Sequence, residues 1–302
     1  MGGSWGATDV GRASMRSAWL IVLGLASVQV GCGKGDSAPT SAAAAPVIST
    51  TIPFVGCASD GQTGSQAAPT STPESVQMTA ADAAQLTYYD MTNGPGVIGP
   101  RGWSCAGIYG SDGATLIVAP HPVQPSDLMA AGWSGATGDA IEARVVTGDT
   151  SGRFTVAQVI ERVFPAHQSF AQGIVNEGIE PASDFPSGPH ASDKITTKSN
   201  ELVEFRTPAN AVGLGTDTKL NERLAPGADP VSGAAILTDQ TPDLNQVTVR
   251  LPANLQSLAG EIVQRFEQDD PPPASLRRTM PPPRAAAPPL RRRRAAARRR
   301  PR

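Results

Sequence analysis

Three kinds of side chain in this sequence could do chemistry: a glycine-flanked serine, three histidines and three cysteines. Ser134 lies in Gly132-Trp133-Ser134-Gly135 and invites a nucleophile reading. A serine elbow requires Gly-x-Ser-x-Gly between a strand and a helix, and position 136 is alanine, so a surface turn is the better expectation. His121, His167 and His190 lie far apart, none with Cys, His, Asp or Glu at metal-ligand spacing, and neither a metal nor a cofactor is expected. His190 is loop-borne and could meet Asp184 or Asp193 as a base, whereas His167 falls on a helix as a surface or packing residue. Glu177 and Glu180 flank a helix end, and no carboxylate pair stands out for glycoside chemistry. Gly213-Leu214-Gly215 with Lys219 lacks the Gly-x-x-x-x-Gly-Lys-Ser/Thr spacing of a phosphate cradle.

The cysteines carry more information. Residues 15–32 combine a basic start at Arg16, a short apolar run and Gly31 before Cys32. That is the outline of a bacterial export signal, with Met15 a candidate true start. It resembles the lipobox of bacterial lipoproteins, whose cysteine is lipidated and becomes the mature N-terminus. Gln29 stands where that pattern prefers Leu, so ordinary signal-peptidase cleavage is the alternative. With Gly33 rather than Asp after Cys32, lipoprotein sorting would favour the outer membrane. Setting Cys32 aside leaves Cys57 and Cys105, and in an oxidising compartment they are expected to form a disulfide.

Composition divides the chain. Residues 271–302 hold eleven arginines and no acid. Removing them from the 25 basic residues leaves 14 against all 27 acids, so the body carries about −13 and the tail +11. An acidic body argues against a nucleic-acid surface on the folded domain. The tail could be an arm for anionic envelope surfaces, a nucleic-acid arm, or the product of GC-rich DNA read in a shifted frame. The expected organisation is a signal peptide over 1–31, a flexible tether over 32–51, one globular domain over 52–268 and a disordered Pro/Arg/Ala-rich tail over 269–302.

The elements that must position any site follow from periodicity. Thr79 caps a helix expected to run to about Tyr89. Residues 95–120 read as a hairpin with Trp103, Cys105, Gly107 and Tyr109 on one face. A loop covers 121–138, and Ile141, Ala143 and Val145 line one face of a strand. Val156, Val159, Ile160, Val163 and Phe164 form one helical stripe, and a second helix carries Phe170, Ile174 and Val175 to a stop at Gly178. A strand covers 202–206 and a long loop follows to 230. A second hairpin spans 233–251, with Val247, Val249 and Leu251 inward and Thr248 and Arg250 outward. The last helix packs through Leu255, Leu258, Ala259, Ile262, Val263 and Phe266. The fold class expected is α+β: a mainly antiparallel sheet of two hairpins plus single strands, with about four packing helices.

The combination of 53–64 around Cys57, Gly94-Pro95-Gly96-Val97, Pro100-Arg101-Gly102-Trp103-Ser104-Cys105 and Tyr109-Gly110-Ser111 resembles an uncharacterised family of exported bacterial proteins. The resemblance covers about 53–267 and implies export, no stated activity and no site residues. The functional expectation is a cell-envelope lipoprotein or periplasmic protein that binds a ligand or partner, held to the membrane through lipid on Cys32. The alternatives are an envelope hydrolase using Ser134 or a loop histidine, and anionic-surface or nucleic-acid binding through the tail.

Overall fold

The structure is a computed structural model that describes residues 45–272; Cys32, the export signal and the arginine-rich stretch from 273 onward lie outside the described residues. In chain order the elements are β1 (Ile48–Ile52), β2 (Phe54–Cys57), β3 (Ser59–Gly61), β4 (Glu74–Met78), α1 (Ala80–Gln85), β5 (Leu86–Met91), β6 (Val97–Pro100), β7 (Ser104–Gly110) and β8 (Gly113–Ala119). There follow α2 (Pro125–Leu128), β9 (Ala140–Val146), α3 (Arg153–Val163), α4 (Gln168–Asn176), β10 (Lys194–Thr197), β11 (Leu202–Thr207), β12 (Val231–Thr238), β13 (Asp243–Arg250) and α5 (Leu258–Asp269).

The class is α+β, as expected, but the strands assemble further than two hairpins and single strands. Both hairpins, β7–β8 and β12–β13, belong to one eight-stranded sheet of order β10-β11-β12-β13-β9-β8-β7-β3. Every neighbour pair in it is antiparallel except β3–β7. Two small sheets, β1–β4 and β2-β5-β6, lie apart from it, the latter with a parallel β2–β5 pair. Thr79 does cap α1, accepting from the Asp82 amide at 3.2 Å, but the helix ends at Gln85 instead of reaching Tyr89. Thr87, Tyr88 and Tyr89 favour extended backbone, and Tyr89, fully buried, donates to the Pro100 carbonyl at 2.7 Å from strand β5. β1 begins at Ile48, within the stretch expected to be tether. A single turn of helix, α2, falls in the expected 121–138 loop.

Two apolar cores form because the sheet is covered on both faces. On one, Leu116, Val118, Ile141, Ala143, Val247 and Val249 meet the α5 stripe and the small sheets. On the other, Ile117, Ala140, Leu237 and Leu244 meet Val156, Val159, Ile160 and Phe164 of the helix pair. Thr248 and Arg250, expected outward, are 0 % and 1 % exposed. Alternation along β13 tells which face is apolar; it does not tell whether the other face is wet.

Cys57 and Cys105 are joined by a disulfide with their Cα atoms 5.4 Å apart. It ties β2 of a small sheet to β7 of the large one. Closing a 48-residue separation contributes about 4 kcal/mol in the chain-entropy account. Trp103, Cys105 and Tyr109 pack together on the first core, the face their spacing assigned them.

Candidate functional site

The second face of the sheet carries a row of polar side chains that no apolar core would choose. Glu142 and Arg144 of β9 stand beside Thr248 and Gln246 of β13 in the register Glu142–Thr248 and Arg144–Gln246, with Arg250 one step on. All five are buried. Burying such groups unpartnered would cost several kcal/mol each, so something must satisfy them. The 208–230 loop does.

Arg144 donates to the Leu220 carbonyl at 2.6 Å and to Gln246 Oε1 at 2.8 Å, and meets Glu222 at 2.5 Å. Gln246 in turn donates to Glu222 Oε1 at 2.8 Å. Glu142 Oε2 accepts from the backbone amides of Arg223 and Leu224 at 2.8 and 3.2 Å. Arg250 donates to the carbonyls of Ala136, Gly138 and Ala225 at 3.0, 3.1 and 2.5 Å. The loop is thus bolted to the sheet by charge-assisted bonds, which are about twice as strong as neutral ones.

The Glu142 carboxyl lies close enough to Glu222 to disfavour its ionisation, a smaller effect than burial. Glu142 Oε1 and Glu222 Oε2 are buried without hydrogen-bond partners. Burial pushes both groups upward against the pull of Arg144, and Glu222 is held well above the usual carboxylate range.

Bolted this way, the loop presents Asp217, Thr218 and Lys219 to an open cleft of about 840 Å³. Arg162 and Gln158 of α3 line the facing wall, and Ser134 lies on the lip. Asp217 Oδ2 stands 3.7 Å from Arg162 and 3.4 Å from His190 Nε2. The His190 imidazole is therefore set against Asp217, while its carbonyl accepts from the Asp193 amide at 3.0 Å; Asp184 does not reach it. Asp193 instead anchors the loop, accepting from Thr207 and from the Leu214 amide at 2.7 Å each. Burial, with Arg162 beside it, pushes the His190 imidazole below its usual value despite Asp193 and Asp217. Arg162 Nε and His190 Nε2 are buried without hydrogen-bond partners.

Gly213 and Gly215, which could suggest a phosphate cradle, serve packing. A Cβ on Gly213 would strike Asp193 and Thr207, and one on Gly215 would strike Phe205 and Thr248.

No known protein family, curated protein or solved structure matches this chain. The geometry alone carries the functional reading. Ser134 is exposed and, among the described residues, has no hydrogen bond to a histidine or carboxylate. His121 is exposed, and His167 stands 3.7 Å from the buried Glu201 and does not line the cleft. Among the described residues no group of three or more His, Cys, Asp or Glu side chains could hold a metal ion. No described helix is long and apolar enough to cross a membrane.

Sequence reasoning found Ser134 and His190 but missed Arg162, Asp217 and the Glu142/Glu222 pair. The available signal was the charged residues at alternate positions of β9 and β13, Glu142, Arg144 and Arg250, within otherwise apolar strands.

Proposed function

We propose that this protein is an exported binding domain of the bacterial cell envelope, held to the membrane through lipid on Cys32 and taking a small polar ligand in the cleft under the 208–230 loop. The observation that carries the reading is the Arg162–Asp217 pair lining the cleft, with the His190 imidazole set against Asp217. Arg162 and Lys219 suit a carboxylate or other anionic group, and Asp217 suits a donor. The ligand class that fits is therefore one carrying both charges. Val212 lines the same cleft half exposed and offers an apolar contact beside them. The Cys57–Cys105 bridge supports export, because disulfides persist in oxidising compartments.

The test is a thermal-shift screen of amino acids and short peptides against the full chain and the variants Arg162→Gln and Asp217→Asn. A hit that stabilises the wild type and neither variant is expected. Absence of any variant-sensitive hit, or an intact mass matching the unprocessed chain recovered from the cytoplasm, defeats the reading.

A second reading, an envelope hydrolase, rests on Ser134 lining the same cleft as Asp217, which holds His190. It predicts labelling of Ser134 by a serine-reactive phosphonate.

A further inference from the structure

A second, smaller cavity opens on the other side of the loop. Its volume is about 190 Å³, and Arg144, Arg223, Asn221, Thr155 and Thr115 supply its polar lining. By the roughly 30 Å³ that each water takes in the liquid, it has room for several waters or for one small ion.

Donors dominate its wall. Arg144 is 1 % exposed, and its Nε is buried without a partner. The Nε of Arg223 is likewise buried and unpartnered, while its Nη1 donates to the Leu128 carbonyl at 3.3 Å. Thr155 Oγ1 accepts from Asn221 Nδ2 at 2.9 Å, which leaves its own hydrogen to give. Thr115 stands opposite Arg144 in the β8–β9 register.

Charge points the same way. Of the charged residues that line the cavity, two are arginines, Arg144 and Arg223, and one is an acid. The acid among the lining residues, Asp112, is exposed to solvent at the rim. A half-open cavity lined by two arginines, Asn221 and two threonines against one solvent-exposed acid favours an oxyanion over a cation.

We propose that this cavity, bounded by Arg144, Arg223, Asn221 and Thr155, is a binding site for a small oxyanion of the phosphate type, distinct from the cleft at Arg162. Holding such an ion would add a further tie between the sheet and the 208–230 loop.

The probe is inorganic phosphate, titrated calorimetrically into the full chain at constant ionic strength with chloride as balance. One-to-one, saturable binding is expected. Asn221→Asp places a carboxylate in the cavity at a position whose left-handed backbone, φ 60°, aspartate also adopts. It should weaken binding at least tenfold with the near-ultraviolet circular dichroism unchanged. Thr155→Val, which removes one donor, should weaken it severalfold and serves if Asn221→Asp fails to fold. No saturable heat, or equal affinity in a folded cavity variant, overturns the proposal. So does affinity that falls in Arg162→Gln and survives in Asn221→Asp, since the ion would then sit in the cleft.

Discussion

Glu222→Gln should abolish most of the pH dependence of stability above the ordinary carboxylate range. In the native state burial pushes the carboxyls of Glu142 and Glu222 upward, Glu222 the further, so that Glu222 keeps its proton above the ordinary range. In the unfolded chain both would ionise near 4.5, the ordinary glutamate value. Between that value and the raised native one, the folded state binds one proton more than the unfolded state. Stability is then full below the unfolded value and falls as pH rises through the folded one. One proton sets a slope of about 1.4 kcal/mol per pH unit. For a domain of this size that is about 3–6 °C of melting temperature per unit.

Glutamine at 222 imitates the protonated acid. Its carbonyl can accept from Gln246 and its amide can donate to Glu142, which keeps its own charge beside Arg144. Denaturant unfolding from pH 5 to 9 is the assay, read as the wild-type minus Glu222→Gln difference. Asp90, Asp139, Asp243, Glu267 and Asp270, each pushed up chiefly by burial, also lower stability as pH rises, and they cancel in that difference. The variant should match the wild type near pH 5 and exceed it at pH 8. Parallel curves would refute the retained proton on Glu222. A variant weaker by a constant amount at every pH would instead make Glu222 a plain ion partner of Arg144.

Other outcomes follow from the same contacts. Cys105→Ser should cost about 2–5 kcal/mol in denaturant unfolding, and reductant should bring the wild type to the same midpoint. Arg250→Met leaves the buried Ala225 carbonyl without its donor and removes the bonds to Ala136 and Gly138, and should cost about 1–3 kcal/mol, with hydrogen exchange quickening at 136–138 and 225. Phe266→Ala empties a buried site under α5 and should cost about 3–5 kcal/mol in the same unfolding assay.

Much of this fold was legible in the chain because its signals are local. The stripes of α3, α4 and α5, the two hairpins and the stop at Gly178, where φ is +67°, all follow from spacing and turn chemistry. The β5 strand was hidden behind the α1 cap, because a helix start signal says nothing about how far the helix runs. Small strands such as β3 and β10 escaped notice, since three or four residues extend only when a neighbouring edge pairs with them.

The sequence by itself determined the class, the helix stripes, the pairing of Cys57 with Cys105 as the one expected bridge, and the charge division between body and tail. Only the tertiary structure decided the site. Glu142 and Glu222, or Asp217 and Arg162, are dozens of residues apart and meet because a loop folds over a sheet. Whether the polar face of β9 and β13 meets water or that loop depends on the covering layer, and alternation within one strand carries no information about what lies above it.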